Sequence, residues 1–295
     1  MSVRGRAEFW LFFITLVWGG SFIAVKFGLR ESTPVFFLFL RFGGATIVYL
    51  PIFLKNIKYL NRANLRHGVI LGSMVFFAIV LQTIGLKYTS ASRSGFVTEL
   101  LVVFTAVFQL LIHKRALERA NMVGIPLVIL GLYFLTDPDA QELNRGDWMT
   151  LGCAIIYGLY LVFLDSYAKI HDIQILTFVQ MAVTTILAGA GAFLFEDVRF
   201  TGGNTVYLSL LYLIPLATIL PMYIQTRFQK DTTPARAAVI FVLEPVFAAI
   251  FAGWILEERL GKTGILGGAL IVIGLVISEL PDVLLPKPLR KKDST

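Results

Sequence analysis

Three ionisable residues stand inside long apolar runs of the chain: Arg41, Glu99 and Glu244. If those runs cross a bilayer, each charge costs at least about 2.5–3.5 kcal/mol at mid-depth, so such groups usually line a polar path or pair inside a helix bundle. Glu99 lies roughly 8 Å deep and Arg41 about 10 Å deep from the same side, at 1.5 Å of rise per residue. An Arg41–Glu99 ion pair therefore fits by depth. Arg41 could take a substrate carboxylate and Glu99 an ammonium, or the pair could be purely structural. Lys26 is a rival partner for Glu99. Glu244 is followed by Pro245, which lacks an N–H and frees the carbonyl of Phe241, so these two residues read as a hinge or gate, with Glu244 lining the cavity as the alternative. Trp18, Tyr157, Tyr160 and Tyr223 could form an aromatic wall, and Gln82, Gln109, Gln180 and Gln225 fall at similar depths. The expected cavity set is Trp18, Arg41, Gln82, Glu99, Tyr157, Gln180 and Tyr223.

Catalytic chemistry finds little support. His67, His113 and His171 fall at predicted helix ends, and Cys153 is the single cysteine. No metal-ligand spacing, nucleophile elbow or paired loop carboxylates occur, so no metal, cofactor or enzymatic activity is expected. Gly261-Lys262-Thr263 resembles the end of a phosphate-binding loop, but Leu256 occupies the position that needs the first glycine. Without an ATP site, any transport would be driven by gradients.

The elements that must position these residues are membrane helices. Of 295 residues, 57% are hydrophobic and 15% charged, with a mean hydropathy of +0.76; soluble chains have roughly 45–50% and about 25%. A span needs about 20 mostly apolar residues. Ten such runs are expected: Phe9–Gly28, Pro34–Leu54, Gly68–Leu86, Ser94–Ile112, Met122–Thr136, Trp148–Tyr167, Ile173–Phe195, Val206–Phe228, Ala237–Leu256 and Gly264–Leu280. Period-2 alternation is absent from them, which argues against a transmembrane barrel. The first run is long enough to span and lacks a small-residue cleavage site, so it reads as a retained helix. Trp10, Trp148 and Trp254 read as interfacial anchors.

With the N-terminus cytoplasmic, 17 Lys and Arg fall on that side and 8 on the other. The bias predicts a multi-pass cell-membrane protein with both termini inside. It also accounts for the net charge of +7 without nucleic acid.

The chain repeats itself. Tyr88–Leu135 aligns without gaps on Asp231–Ser278, 143 residues later, with 13 of 48 positions identical, among them Thr89/Thr232, Arg93/Arg236, Gly124/Gly267 and Gly131/Gly274. An offset of 139 sets Trp18-Gly19 on Tyr157-Gly158 and Arg41 on Gln180. Five spans separate the copies. An odd number inverts the second copy, the arrangement by which many secondary transporters build two gates around one site. The expected domains are 1–137, 147–280 and a basic cytoplasmic tail, 281–295.

Trp18-Gly19-Gly20-Ser21-Phe22, Leu40-Arg41-Phe42 and Tyr88-Thr89-Ser90-Ala91-Ser92 resemble the first half of an EamA-type member of the drug/metabolite transporter superfamily. Leu243-Glu244-Pro245-Val246-Phe247 with Leu256-Glu257-Glu258-Arg259-Leu260 resembles the hallmark of its second half. The resemblance implies an all-α membrane fold of ten helices in two inverted five-helix repeats, a central cavity, and export of small metabolites such as amino acids by alternating access. Half one departs from the pattern. Leu101-Val102 stands where Glu-Pro is expected, and Lys114-Arg115-Ala116-Leu117 replaces the acidic motif, which leaves the symmetry of the two gates open. The expected partners are a small-molecule substrate and the lipid bilayer, with protons as a candidate coupling ion. Small residues Gly124, Gly131, Gly264, Gly267, Gly268 and Gly274 permit close helix contact, internal or in a homodimer. A non-transporting scaffold or receptor of the same fold is the alternative, with a membrane enzyme third.

Overall fold

The computed structural model describes residues 2–89, 91–114, 119–135, 144–255 and 261–279. The 281–295 tail, most of the loop between the halves, Arg115–Leu117 and Leu256–Leu260 lie outside the described residues. The described residues are helical, with no strand beyond an isolated bridge between Ser32 and Phe200.

The helices are α1 (Val3–Gly28), α2 (Pro34–Asn56), α3 (Arg62–Gly85), α4 (Ala91–Glu99), α5 (Leu101–His113), α6 (Arg119–Leu135), α7 (Arg145–Tyr167) and α8 (Ile173–Phe195). They continue with α9 (Asn204–Leu213), α10 (Leu220–Phe228), α11 (Pro234–Phe241), α12 (Glu244–Ile255) and α13 (Lys262–Glu279). Eight segments are long and apolar enough to cross a membrane, counting α4–α5, α9–α10 and α11–α12 as single runs; Ala120–Gly131 and Lys262–Gly274 are shorter apolar helices. Large apolar side chains such as Phe195 (86% exposed) and Trp254 (80%) point outward, a surface suited to lipid and not to water.

Local sequence sets the ends. Asn61 and Asn64 cap α3 reciprocally, as Asn144 and Asp147 cap α7, while the Asp172 and Thr233 side chains cap α8 and α11. Each cap satisfies amide N–H groups that the first helical turn leaves without partners. Three long runs are interrupted near their middles. The α11–α12 break at Val242–Leu243 precedes Pro245, as the missing N–H requires. The α4–α5 break falls at Leu100, 143 residues earlier, although no proline stands there. Both halves are thus broken at matching positions, an outcome the departure at Leu101-Val102 did not foretell. Between α9 and α10, Pro215–Ile219 form a π-helical segment.

Packing follows the repeat. A Cβ on Gly19 of α1 would lie 2.6 Å from Phe247 Cβ, 3.0 Å from Ala248 N and 3.2 Å from the Glu244 carbonyl. A Cβ on Gly158 of α7 would lie 2.8 Å from Phe104 Cβ, 2.9 Å from Thr105 N and 3.2 Å from the Leu101 carbonyl. The 139 and 143 offsets carry the first set onto the second. In the same way Gly131 packs on the Gly267 carbonyl and Ile271, and Gly274 on the Gly124 carbonyl and Val128. That contact between α6 and α13 is internal and antiparallel. Thr46 and Thr185, 139 residues apart, meet through their hydroxyls at 3.0 Å.

Candidate functional site

At the centre of the bundle lies a cavity of about 60 Å³, lined by Trp18, Ser21, Arg41, Ile79, Gln82, Thr98, Glu99, Leu101, Tyr157, Leu161, Gln225, Phe241 and Glu244. Its position is explained by the three broken runs. Glu99 ends α4 beside the Leu100 break, and Glu244 opens α12 after the Val242–Leu243 break. A carboxylate in the first turn of a helix is favoured by the partial positive charge of that end. Four pairs of lining residues are repeat equivalents: Trp18/Tyr157, Gln82/Gln225, Thr98/Phe241 and Leu101/Glu244.

Five of the seven expected cavity residues meet here: Trp18, Arg41, Gln82, Glu99 and Tyr157. The two others do not. Gln180 is buried elsewhere, accepting from the Tyr160 hydroxyl at 2.9 Å and donating to the Leu176 carbonyl at 3.1 Å. Tyr223 packs half-buried against the core. Neither the repeat equivalence of Gln180 to Arg41 nor the aromatic ring of Tyr223 fixes the helix face on which the residue falls. Ser21, Thr98 and Leu101 were not foreseen as lining, and only their neighbours in sequence could have signalled them. Gln109 serves the backbone, accepting from Ala235 N at 3.1 Å.

The expected Arg41–Glu99 ion pair is not formed, and Lys26 does not replace Arg41 in it. Arg41 donates from Nε to Thr218 Oγ1 at 2.7 Å and from Nη2 to the Ala217 carbonyl at 2.9 Å. Trp18 Nε1 donates to the same carbonyl at 3.3 Å. The cause is Pro221: it cannot supply the N–H that an α-helix would aim at Ala217, so this buried oxygen lacks its ordinary donor and draws the guanidinium. Glu244 lines the same cavity as Arg41 and Glu99. Glu99 is 1% exposed, and its Oε2 has no hydrogen-bond partner. Gln82 Nε2 donates to Thr98 Oγ1 at 2.9 Å beside it.

The arrangement brings one guanidinium and two carboxyl groups to aromatic walls, with Arg41 and Glu99 buried and Glu244 half-buried. It is a binding geometry for a small molecule carrying both charge and apolar surface. Cys153 of α7 is also buried. Among the described residues no cluster of three or more His, Cys, Asp or Glu could hold a metal ion.

Apolar helices around a buried polar cavity define a multi-pass membrane protein. The chain belongs to the EamA-like transporter family, whose profile matches it twice, over residues 5–137 and 144–280. An uncharacterized transporter of Archaeoglobus fulgidus is 31% identical over 277 residues, covering 94% of this chain and 87% of the relative. A probable amino-acid metabolite efflux pump of Salmonella typhimurium is 24% identical, covering 90% and 92%, and its Escherichia coli counterpart is likewise 24% identical with the same coverage. A crystal structure with 18% identity superposes with a TM-score of 0.79 over 94% of this chain and 97% of that one. At that identity the match speaks for the fold alone.

Proposed function

We propose that this protein is a secondary transporter that exports small amphipathic metabolites, amino acids or compounds like them, by alternating access. The observation that carries the reading is the small cavity lined by Arg41, Glu99 and Glu244. Formally it contains one cation and two anions. A zwitterion adds no net charge but is paired at both ends, its carboxylate facing Arg41, its ammonium one carboxylate and its side chain the aromatic walls of Trp18 and Tyr157. The remaining negative charge, costly if buried unpaired, is neutralised by a proton on the second carboxyl group. Binding of that proton together with the ligand would couple transport to a proton gradient. Two relatives named as amino-acid metabolite efflux pumps favour this substrate class.

Alternation is favoured over an open pore by size. About 60 Å³ holds only about four to six waters at roughly 10–15 Å³ each, far below the roughly 300–1,000 Å³ of a drug-sized ligand site. A substrate enters only if helices part. Two halves of five membrane spans each, related by inversion, supply the parting surfaces. The antiparallel α6–α13 contact and the self-meeting of Thr46 with Thr185 support that inversion. In this reading both termini face the cytoplasm, α6 and α13 are spans, Glu244-Pro245 is a hinge, and the cell membrane is the site of action.

The test is counterflow in proteoliposomes loaded with unlabelled leucine, phenylalanine, lysine or glutamate and supplied with the labelled counterpart. Zwitterionic amino acids should exchange faster than those with a net charge, and Glu244→Gln should lower the exchange. Exchange no faster than in empty liposomes for all four would remove amino acids as the substrate class.

A further inference from the structure

Two small polar clusters at opposite ends of the bundle are built from repeat-equivalent residues. In one, Thr89 Oγ1 donates to Asp147 Oδ1 at 2.8 Å, and Arg93 Nε lies 3.1 Å from Asp147 Oδ2. In the other, Thr232 Oγ1 donates to Glu8 Oε1 at 3.3 Å, and Arg236 Nη1 lies 3.7 Å from the same oxygen. The 143 offset carries Thr89 and Arg93 onto Thr232 and Arg236, and the 139 offset carries Glu8 onto Asp147. The first cluster ties the start of α7, in half two, to the start of α4, in half one. The second ties α1, in half one, to the start of α11, in half two. Each therefore bridges the two halves, and the first turn of each pairing begins at its own face.

Those faces are opposite. Gly85, ending α3, packs on Gly146 beside Asp147, whereas His67, near its start, stacks on Tyr167 at the far end of α7. Helices α3 and α7 are thus antiparallel. Short turns join α1 to α2 and α2 to α3, so α1 begins where α3 begins and Glu8 lies on that face. Ten residues along α1 from Glu8 comes Trp18, and ten along α7 from Asp147 comes Tyr157, each about 15 Å at 1.5 Å per residue. Both tryptophan and tyrosine line the cavity. The clusters thus stand at equal helical distances from the cavity, one toward each face.

They are not equally tight. Asp147 is 2% exposed and also accepts from Asn144 N at 2.9 Å. The Glu8 side chain is 19% exposed and is shared with Arg4 at 2.7 Å. Charge-assisted hydrogen bonds are strong in a dry interface and exchange readily for water once wetted. Chemically matched closures at two faces keep the two end states near in energy, as an alternating cycle requires.

We propose that Thr89–Arg93–Asp147 and Thr232–Arg236–Glu8 are the two latches of the transport cycle, the first shut and the second loosened in this conformation. The proposal rests on the transport reading above, but its test needs no substrate. A single cysteine at Ser21, in a Cys153→Ser background, reports access to the cavity through labelling by a membrane-impermeant maleimide added to one face of reconstituted vesicles. Arg93→Gln should raise the labelling rate from the Asp147 face, and Arg236→Gln from the Glu8 face, each by at least about fivefold, the lower end of typical coupling between states. Thr89→Val and Thr232→Val, which leave all charges in place, should act on the same respective faces more weakly. If the two arginine variants change labelling from the same face, or if none of the four changes it, the latches do not exist. Absence of amino-acid counterflow with face-selective labelling would instead remove only the substrate class.

Discussion

Glycine-to-alanine substitution at three positions should have opposite signs, and the structure says which is which. A methyl on Gly268 would meet nothing within 4 Å, so Gly268→Ala keeps only the helical gain, about 0.5–1 kcal/mol from the lost freedom of glycine. A methyl on Gly19 would lie 2.6 Å from Phe247 Cβ and 3.0 Å from the backbone nitrogen of Ala248. Carbon atoms settle at roughly 3.5–4.0 Å, so α1 and α12 must separate by about 1 Å, and backbone atoms cannot rotate away as a side chain can. Overpacking of this kind costs typically 1–3 kcal/mol, which outweighs the propensity gain. Gly158→Ala should do the same through Phe104 and Thr105. Thermal unfolding of the purified protein in one detergent should rank Gly268→Ala above the parent and both Gly19→Ala and Gly158→Ala below it, by a few degrees each. Because the Gly19 methyl also approaches the Glu244 carbonyl at 3.2 Å, amino-acid counterflow should fall in Gly19→Ala and persist in Gly268→Ala. Equal shifts of Tm in the same direction at all three positions would refute the close-approach argument.

Other outcomes follow from the site and the termini. Glu99→Gln should abolish counterflow while membrane abundance stays near that of the parent, since Glu99 Oε2 lacks a hydrogen-bond partner to lose; collapse of abundance would make its role structural. Cysteines at Ala63 and Asp139, in a Cys153→Ser background, should label from opposite sides of intact cells; Ala63 is exposed, whereas neighbouring Asn64 is buried in the α3 cap. At the face where α3 begins, His67 Nδ1 and His171 Nε2 lie 2.6 Å apart. Burial first, and then His67, holds His171 below its ordinary value. The folded protein therefore binds this proton less readily than the unfolded chain, so the stabilisation is present above about pH 6.5 and is lost as the pH falls through the lower, folded value. Thermal stability should drop between pH 8 and pH 5, and His171→Asn should flatten that drop.

Helices were legible because an apolar run of about 20 residues admits little else in a bilayer. Ile173–Phe195 has the same limits in sequence and structure, and the remaining runs differ mainly by a few residues at their ends. The breaks were legible only where proline removes an N–H. Pro245 marked the break in half two, whereas nothing in Leu100-Leu101-Val102 announces the one in half one; close packing of Leu101 and Phe104 on Gly158 accompanies it. Depth along a helix sets Arg41 and Glu99 at one level, where both line one cavity, but depth could not choose their partners. That choice lay with Pro221, one helix and 180 residues away, through the carbonyl it leaves at Ala217. Gln180 lies outside the lining for a related reason: equivalence to Arg41 fixes depth and approximate face, while the local partners Tyr160 and Leu176 decide where its amide points. Glu8 and Asp147 read as ordinary charges near helix starts, and only the shared offset joins them.

Symmetry and asymmetry in this chain fall on different tasks. Residues that hold the halves together have equivalents across the repeat: Gly19 and Gly158, Gly131 and Gly274, Arg93 and Arg236, Glu8 and Asp147. The charges around the cavity do not, since Arg41 matches Gln180, Glu99 matches Val242 and Glu244 matches Leu101. A motion between two end states is served by matched contacts, because unequal ones would trap the protein in the better-bonded state. A zwitterion has no two-fold symmetry, so a site that orients it needs its anions and its cation in unlike places. In the proposed cycle, mutations at matched positions should therefore shift which face is open, whereas mutations of Arg41, Glu99 or Glu244 should change what is carried without choosing a face.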